Sequence, residues 1–71
     1  MSAVRALDGN LHPLHNAIIK VDGEREPGYW YVDLVYRGWP NKLVPIKKFL
    51  KFTEAQQCAN RLALHLPGAA S

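Results

Sequence analysis

The clearest periodic pattern in the chain is an alternation of side chains over residues 29–36. Trp30, Val32 and Leu34 fall on one face of an extended strand, because side chains alternate across a strand with a period of two. That face carries no charge, and we expect it to be buried. The opposite face carries Asp33 and two tyrosine hydroxyls, and we expect it to meet solvent or a partner.

Two further segments predict strands. Residues 17–21 form a β-branched run, separated from the first pattern by a polar loop rich in turn formers. Residues 43–50 form another β-prone run after a turn composition at Gly38-Trp39-Pro40-Asn41. Pro45 has no amide hydrogen, so we expect this strand to lie at a sheet edge or to carry a bulge there.

The C-terminal part has a helical pattern. Thr53 and Gln56 have the spacing of a capping box, which predicts a helix that begins at Thr53 and ends at Pro67-Gly68. One apolar stripe recurs at helical spacing and predicts the buried face of this helix, namely Ala55, Cys58, Ala59, Leu62 and Leu66.

These elements predict an α+β fold in which a three-stranded antiparallel sheet packs on one C-terminal helix. The predicted β-β-β-α domain covers residues 17–71. The small side chains of Ala55 and Ala59 would let the helix lie close to the sheet, with Trp30 as the large partner. Residues 1–16 have mixed composition and predict a loosely ordered N-terminal arm.

Composition limits the class of protein. Seventy-one residues make one small domain. Cys58 is the only cysteine, which excludes a disulfide within the chain; we expect a small core residue, and an intermolecular bridge stays open. The sequence has no apolar run of signal-peptide or membrane-span length, and these features together favour a cytoplasmic location.

The positive charge is concentrated in one block. Residues 37–51 contain five cations and no acid, whereas the rest of the chain has four cations and six carboxylates, so the block accounts for the net charge of +3. Cations can neutralise phosphates, and aromatic faces can stack on unpaired bases. We therefore predict a binding face for nucleic acid, with a protein partner as the alternative, formed by Tyr29, Tyr31, Arg37, Trp39, Lys42, Lys47 and Lys48.

Other interpretations of this block stay open. Lysines on an edge strand can serve only to prevent aggregation. Tyrosine, tryptophan and arginine also dominate protein interfaces, so the same face could belong to a phage or mobile-element product that inhibits a host protein complex. Homodimerisation through the edge strand is a further use of this surface, limited by Pro45.

Catalytic and metal-binding patterns have little support. The sequence contains no nucleophile triad spacing, no glycine-rich phosphate loop and no paired-carboxylate signature. The pairs His12/His15 and Cys58/His65 fit no usual zinc spacing. We therefore predict a protein that is not an enzyme and has no cofactor or metal.

Residues 17–66 resemble the arm-type DNA-binding domain of phage integrases. The resemblance rests on Gly28-x-Trp30-x-Val32-x-x-x-Tyr36, on the basic hairpin that follows, and on the segment from Phe49 to Glu54-Ala55. It implies that the sheet face away from the helix lies in the major groove, with contacts from Tyr29, Tyr31, Arg37, Lys42, Lys47 and Lys48. The chain departs from this pattern at Asp33, which would repel phosphate, and at Pro45. The resemblance favours DNA over RNA as the partner, and we expect a free-standing module that acts as a binder or regulator and not as a recombinase.

Overall fold

The computed structural model describes residues 3–38 and 40–66. Its elements are β1 Ala3–Arg5, β2 Leu11–Pro13, β3 Ala17–Asp22, β4 Trp30–Tyr36, β5 Lys42–Phe49 and α1 Phe52–Ala63. Within them β3, β4 and β5 form an antiparallel sheet in that order, and α1 packs on one face. The predicted three-stranded sheet with one C-terminal helix is confirmed. A separate antiparallel pair, β1 and β2, precedes it.

The core lies between the helix and the sheet face predicted to be buried. Val32 and Leu34 are fully buried on the central strand, and the small Ala55 and Ala59 bring the helix close to them. Trp30 is half-buried at the edge of this core, where its ring meets Phe52 edge-on with centroids 4.9 Å apart. The other buried members of the core cluster are Ala6, Leu14, Val44, Ile46 and Leu62.

A bulge in β5 decides which side of the sheet its lysines face. Val32 pairs with Lys47 and Asp33 pairs with Pro45, so Ile46 is one residue more than the partner strand matches. Ile46 enters the core. Lys47 therefore lies on the helix side, whereas its neighbour Lys48 lies on the outer side opposite Tyr31. The prediction of an edge strand or a bulge at Pro45 is confirmed on both counts.

The predicted N-terminal arm contains more structure than the sequence indicated. Leu14 is 1% exposed and belongs to the core. The Leu7 amide donates to the Pro45 carbonyl at 3.2 Å, and the Tyr36 hydroxyl donates to the Pro13 carbonyl. The β1–β2 hairpin is therefore attached to β5 and β4 rather than loosely ordered. Three-residue strands are too short to produce a visible hydrophobic period.

The helix begins one residue before the predicted start. Lys51 occupies the N-cap without a side-chain cap bond, and Thr53 already lies inside the helix. Gln56 donates to the side chain of Asn60 at 2.9 Å instead of reaching back, so the capping-box prediction is wrong. The helix ends at Ala63, and the described residues 64–66 are not helical, so it ends earlier than predicted. Pro67-Gly68 itself lies outside the described residues.

Candidate binding surface on the outer face of the sheet

The strand register places three rows of side chains across the outer face, which is the face away from the helix. Each row takes one residue from β3, one from β4 and one from β5. The rows differ in chemistry, and we name them the polar row, the central row and the apolar row. They are, in that order, Asp22–Tyr31–Lys48, Lys20–Asp33–Pro45 and Ile18–Val35–Leu43.

Arg25 ties the loop between β3 and β4 to the centre of the outer face. Its two terminal nitrogens donate to the two oxygens of Asp33, with Nη1–Oδ1 at 2.7 Å and Nη2–Oδ2 at 2.6 Å. The hydrogen bond to Asp33 raises the pKa of Arg25. Asp33 is 0% exposed, so the expectation that this carboxylate meets solvent or repels a partner's phosphates is wrong. A bidentate Arg–carboxylate pair supplies the partner that a buried charge requires.

Gly23 brings the start of this loop close to Trp30. A Cβ at this position would lie 2.3 Å from the indole ring, so only glycine allows the backbone to approach this closely. The carboxylate of Asp22 accepts the Glu24 amide at 2.9 Å and also lies 3.3 Å from Nη2 of Arg25. The loop is thus held at its beginning and at Arg25.

Cations of the same chain already cover the tyrosine rings of the predicted site. The Arg25 guanidinium lies 4.7 Å from the centroid of the Tyr31 ring. The Lys48 ammonium lies 4.4 Å from the centroid of the Tyr29 ring. Both distances suit cation–π attraction, so one face of each ring is not free to stack on a base.

Glu26 completes the network at the polar end. Its Oε1 accepts from the Tyr31 hydroxyl at 3.0 Å and from the Lys48 ammonium at 3.2 Å. These two hydrogen bonds lower the pKa of Glu26, and the same carboxylate raises the pKa of Tyr31 and of Lys48. Arg25 and Lys48 thus face three carboxylates here, and the polar end carries no excess of positive charge.

The apolar row at the other end has no such cover. Ile18 is 43% exposed and Leu43 is 41% exposed, with the half-buried Val35 between them. No carboxylate lies in this row. Lys20 is exposed in the neighbouring central row, and Arg37 is exposed just beyond the end of β4. Neither forms an ion pair with another described residue.

The structure divides the predicted site residues among several places. Tyr29, Tyr31 and Lys48 meet at the polar end of the outer face. Arg37 lies at the opposite end, just beyond β4. Lys42 lies at that end too, but it pairs with Tyr36 on the helix side, so its prediction on the outer face is wrong. Lys47 lies on the helix side, and Trp39 is outside the described residues.

Sequence reasoning missed Arg25 and Glu26, because nothing in a loop's composition says which strand residue it will meet. It also missed Ile18 and Leu43 as surface residues. Alternation could have found Ile18: Ala17 and Ile19 face the core, so Ile18 points the other way. Leu43 follows by the same argument from Val44.

The chain matched no protein-family model, no curated protein and no solved structure. None of the helices in the described residues has the length and apolar character needed to cross a membrane. Across residues 3–38 and 40–66, no group of three or more histidine, cysteine or acidic side chains is placed to hold a metal ion.

Proposed function

We propose that this chain is a non-enzymatic cytoplasmic binding protein that docks on an acidic protein surface through the apolar row of its sheet. The observation that carries the proposal is the exposure of Ile18 and Leu43 on an open sheet face. Protein interfaces commonly have an apolar centre and a polar rim. The apolar row would form the centre, and the nearby cations would form the rim.

Charge complementarity supports an acidic partner. The carboxylates of the outer face and its loop that form ion pairs, Asp22, Glu26 and Asp33, face Arg25 and Lys48 at the polar end. Lys20 and Arg37, the cations nearest the apolar row, therefore have no competing carboxylate partner among the described residues. An acidic partner would gain from these cations, and the rim would also speed association.

The polar end would border this interface rather than form its centre. Its donors and acceptors already satisfy one another, and separating them to bind a new ligand would cost their mutual hydrogen bonds. Tyr29 and Tyr31 are half-buried and can still contact a partner at the boundary. On this proposal the protein acts by occupying a partner's surface, as a phage or mobile-element inhibitor of a host complex would.

A pull-down from nuclease-treated lysate of the source cell tests the proposal. The bait would be the wild-type protein, the double variant Ile18→Ser/Leu43→Ser, and the control Leu50→Ser. Leu50 is 72% exposed but lies outside the apolar row, in the turn before the helix. We expect one protein, with an acidic surface, to be retained by wild type and by the control and lost from the double variant. Equal retention by all three baits contradicts the proposal.

Nucleic acid is a second candidate because four cations of the basic block form no ion pair with other described residues, namely Arg37, Lys42, Lys47 and Lys51. In the resemblance to integrase arm-type domains, the outer face would lie in a DNA groove. A fluorescence titration against duplex and single-stranded oligonucleotides at several salt concentrations tests this idea. Binding that weakens steeply with salt supports it, because phosphate contacts release counterions. Absence of binding at low salt and near-millimolar protein rejects it.

A further inference from the structure

A cavity lies on the opposite side of the molecule from the apolar row, where β1, β5 and α1 meet. Its volume is about 230 Å³. The apolar part of its lining comes from Val4, Ile46 and Leu62. Ile46 and Leu62 are core residues that are almost fully buried, so this floor is a continuation of the hydrophobic core.

Two cations lie at the edge of the apolar lining of this cavity. The β5 bulge turns Lys47 toward the helix, and Arg61 lies in the last turn of α1. No carboxylate lines the cavity, and neither cation forms an ion pair with another residue of the described ranges. His65 also lines it, just beyond the helix end, and adds a further hydrogen-bonding group.

A second cavity of about 210 Å³ adjoins the first and shares Lys47, Cys58 and Arg61 with it. Glu54 lines only the second cavity, and its carboxylate is not within 4 Å of either cation. Lys47 and Arg61 therefore line both cavities: the apolar one, which has no carboxylate among its lining residues, and the polar one, which has Glu54. Their charge toward the apolar cavity is not neutralised by a contact.

We propose that the first cavity binds a small amphiphilic anion, with a short apolar chain on the floor and the anionic head at Lys47 and Arg61. Arginine favours oxyanion heads because its fork donates two parallel hydrogen bonds. The cavity is smaller than the range of about 300–1,000 Å³ that holds drug-sized ligands, which restricts the ligand to a small molecule such as a fatty acid no longer than octanoate. This site is separate from the apolar row, so it does not depend on the function proposed above.

Cys58 provides a reporter for this site, because it lines the cavity and is the only cysteine of the chain. The experiment measures the rate of Cys58 alkylation by the neutral reagent iodoacetamide while octanoate is titrated below its micelle concentration. We expect octanoate to slow alkylation at least fivefold at saturation. Octanol and octylammonium, which have the same chain length, should give little protection.

Variants assign the effect to the two cations. Lys47→Gln and Arg61→Gln should each raise the octanoate concentration for half-protection about three- to tenfold. Lys51→Gln is the control, since this exposed lysine lies outside both cavities and should leave the titration unchanged. Circular dichroism of each variant checks that the fold is retained. Methyl chemical shifts of Val4 and Leu62 on octanoate addition give a second readout that does not depend on the thiol.

Three results would overturn the proposal. The first is the absence of both thiol protection and methyl shifts with octanoate. The second is equal protection by octanol or octylammonium, which would mean that the cations do not select the head group. The third is an unchanged titration in the Lys47→Gln/Arg61→Gln double variant.

Discussion

The two ends of the outer sheet face contrast in how their charges are used. At the polar end, Arg25 and Lys48 are held by three carboxylates and cover two tyrosine rings. At the apolar end, Ile18 and Leu43 are exposed, and the nearby cations have no ion pair among the described residues. The end with the most aromatic and charged residues is therefore the one that is already satisfied.

This contrast shows why a count of charges along the chain does not locate a binding surface. The basic block contains Lys48, but Lys48 is balanced by Glu26, which lies 22 positions earlier. Whether a cation is free for a partner depends on which carboxylates the fold brings to it. The cations available to a partner are those that remain after the ion pairs within the chain have been identified.

The largest expected effect comes from breaking the ion pair at the centre of the face. Arg25→Met leaves the fully buried Asp33 without its partner and should lower the free energy of unfolding by about 2–3 kcal/mol. This loss of stability is smaller than that expected for a fully buried ion pair. The Arg25 side chain is 28% exposed, so water can take the place of part of the guanidinium in the variant. Urea denaturation at neutral pH measures the change.

A double variant separates the loss of the pair from the loss of packing. Arg25→Met/Asp33→Val removes both charges, and apolar replacement of an ion pair is often neutral or stabilising. We expect its stability to lie within about 1 kcal/mol of wild type. An Arg25→Met protein as stable as wild type would show that Asp33 does not depend on this pair.

A smaller effect on stability is expected at the apolar end. Ile18→Ser and Leu43→Ser should each lower the free energy of unfolding by less than about 1 kcal/mol, because both side chains are already about two-fifths exposed. The same urea experiment measures it, with Leu50→Ser as the matched exposed control. A loss of more than about 2 kcal/mol would mean that the row is packed in the folded protein and is not a free surface.

Two adjacent lysines give a finer test of the contrast. Lys48→Gln should reduce the melting temperature measurably, since it loses both the Glu26 ion pair and the contact with the Tyr29 ring. Lys47→Gln should change the melting temperature less, because Lys47 has no ion pair within the described residues. Both changes should be well below that of Arg25→Met. Equal effects of the two substitutions would contradict the assignment of the lysines to opposite faces.

Acid titration gives the smallest expected effect. The pKa of Glu26 is lowered from its ordinary value of 4.5 by its hydrogen bonds to Tyr31 and Lys48. Its contribution to stability is therefore present above that ordinary value and is lost as the pH falls through the lowered one. Melting temperatures of wild type and Glu26→Gln, recorded between about pH 6 and pH 3, should converge at the acid end.

Glu24→Gln is the control for the acid titration, because the exposed Glu24 side chain forms no ion pair with the described residues. The melting temperature of Glu24→Gln, plotted against pH, should run parallel to that of wild type. The pKa of Asp8 is also lowered, by the Asn10 amide and by His12. Some loss of stability at acidic pH should therefore persist in both variants. A constant difference between wild type and Glu26→Gln at every pH would contradict the role given to this carboxylate.

The sheet and the helix were predictable because their side chains repeat with a strong period. The alternation from Trp30 to Tyr36 and the Ala55–Leu62 stripe each place several apolar residues on one face, and those faces meet in the core. The helix starts at Phe52, one residue before the start predicted from the capping-box spacing at Thr53. In the folded protein Phe52 packs on Trp30, a contact between residues far apart in the sequence. The spacing of residues along the chain carries no information about that tertiary contact.

The candidate site was less predictable for a different reason. Tyr31 was correctly expected on the outer face, because alternation assigns faces within a strand. The integrase resemblance implied the same face for Lys48, which the register places opposite Tyr31. Lys47 was assigned to the wrong face, since the sequence indicated a bulge near Pro45 but not which residue would be the extra one. The Arg25–Asp33 pair joins a loop to a strand, and no periodic pattern connects the two.

By itself, the sequence determined the order of the main elements, the buried face of the central strand and the location of the basic block, because these follow from period, turn chemistry and charge along the chain. Only the tertiary structure decided which charges are free. Ion pairs form between residues that the fold brings together, and a single unmatched residue in β5 reverses the face of each side chain beyond it. The position of Lys47 beside the cavity is a consequence of that register.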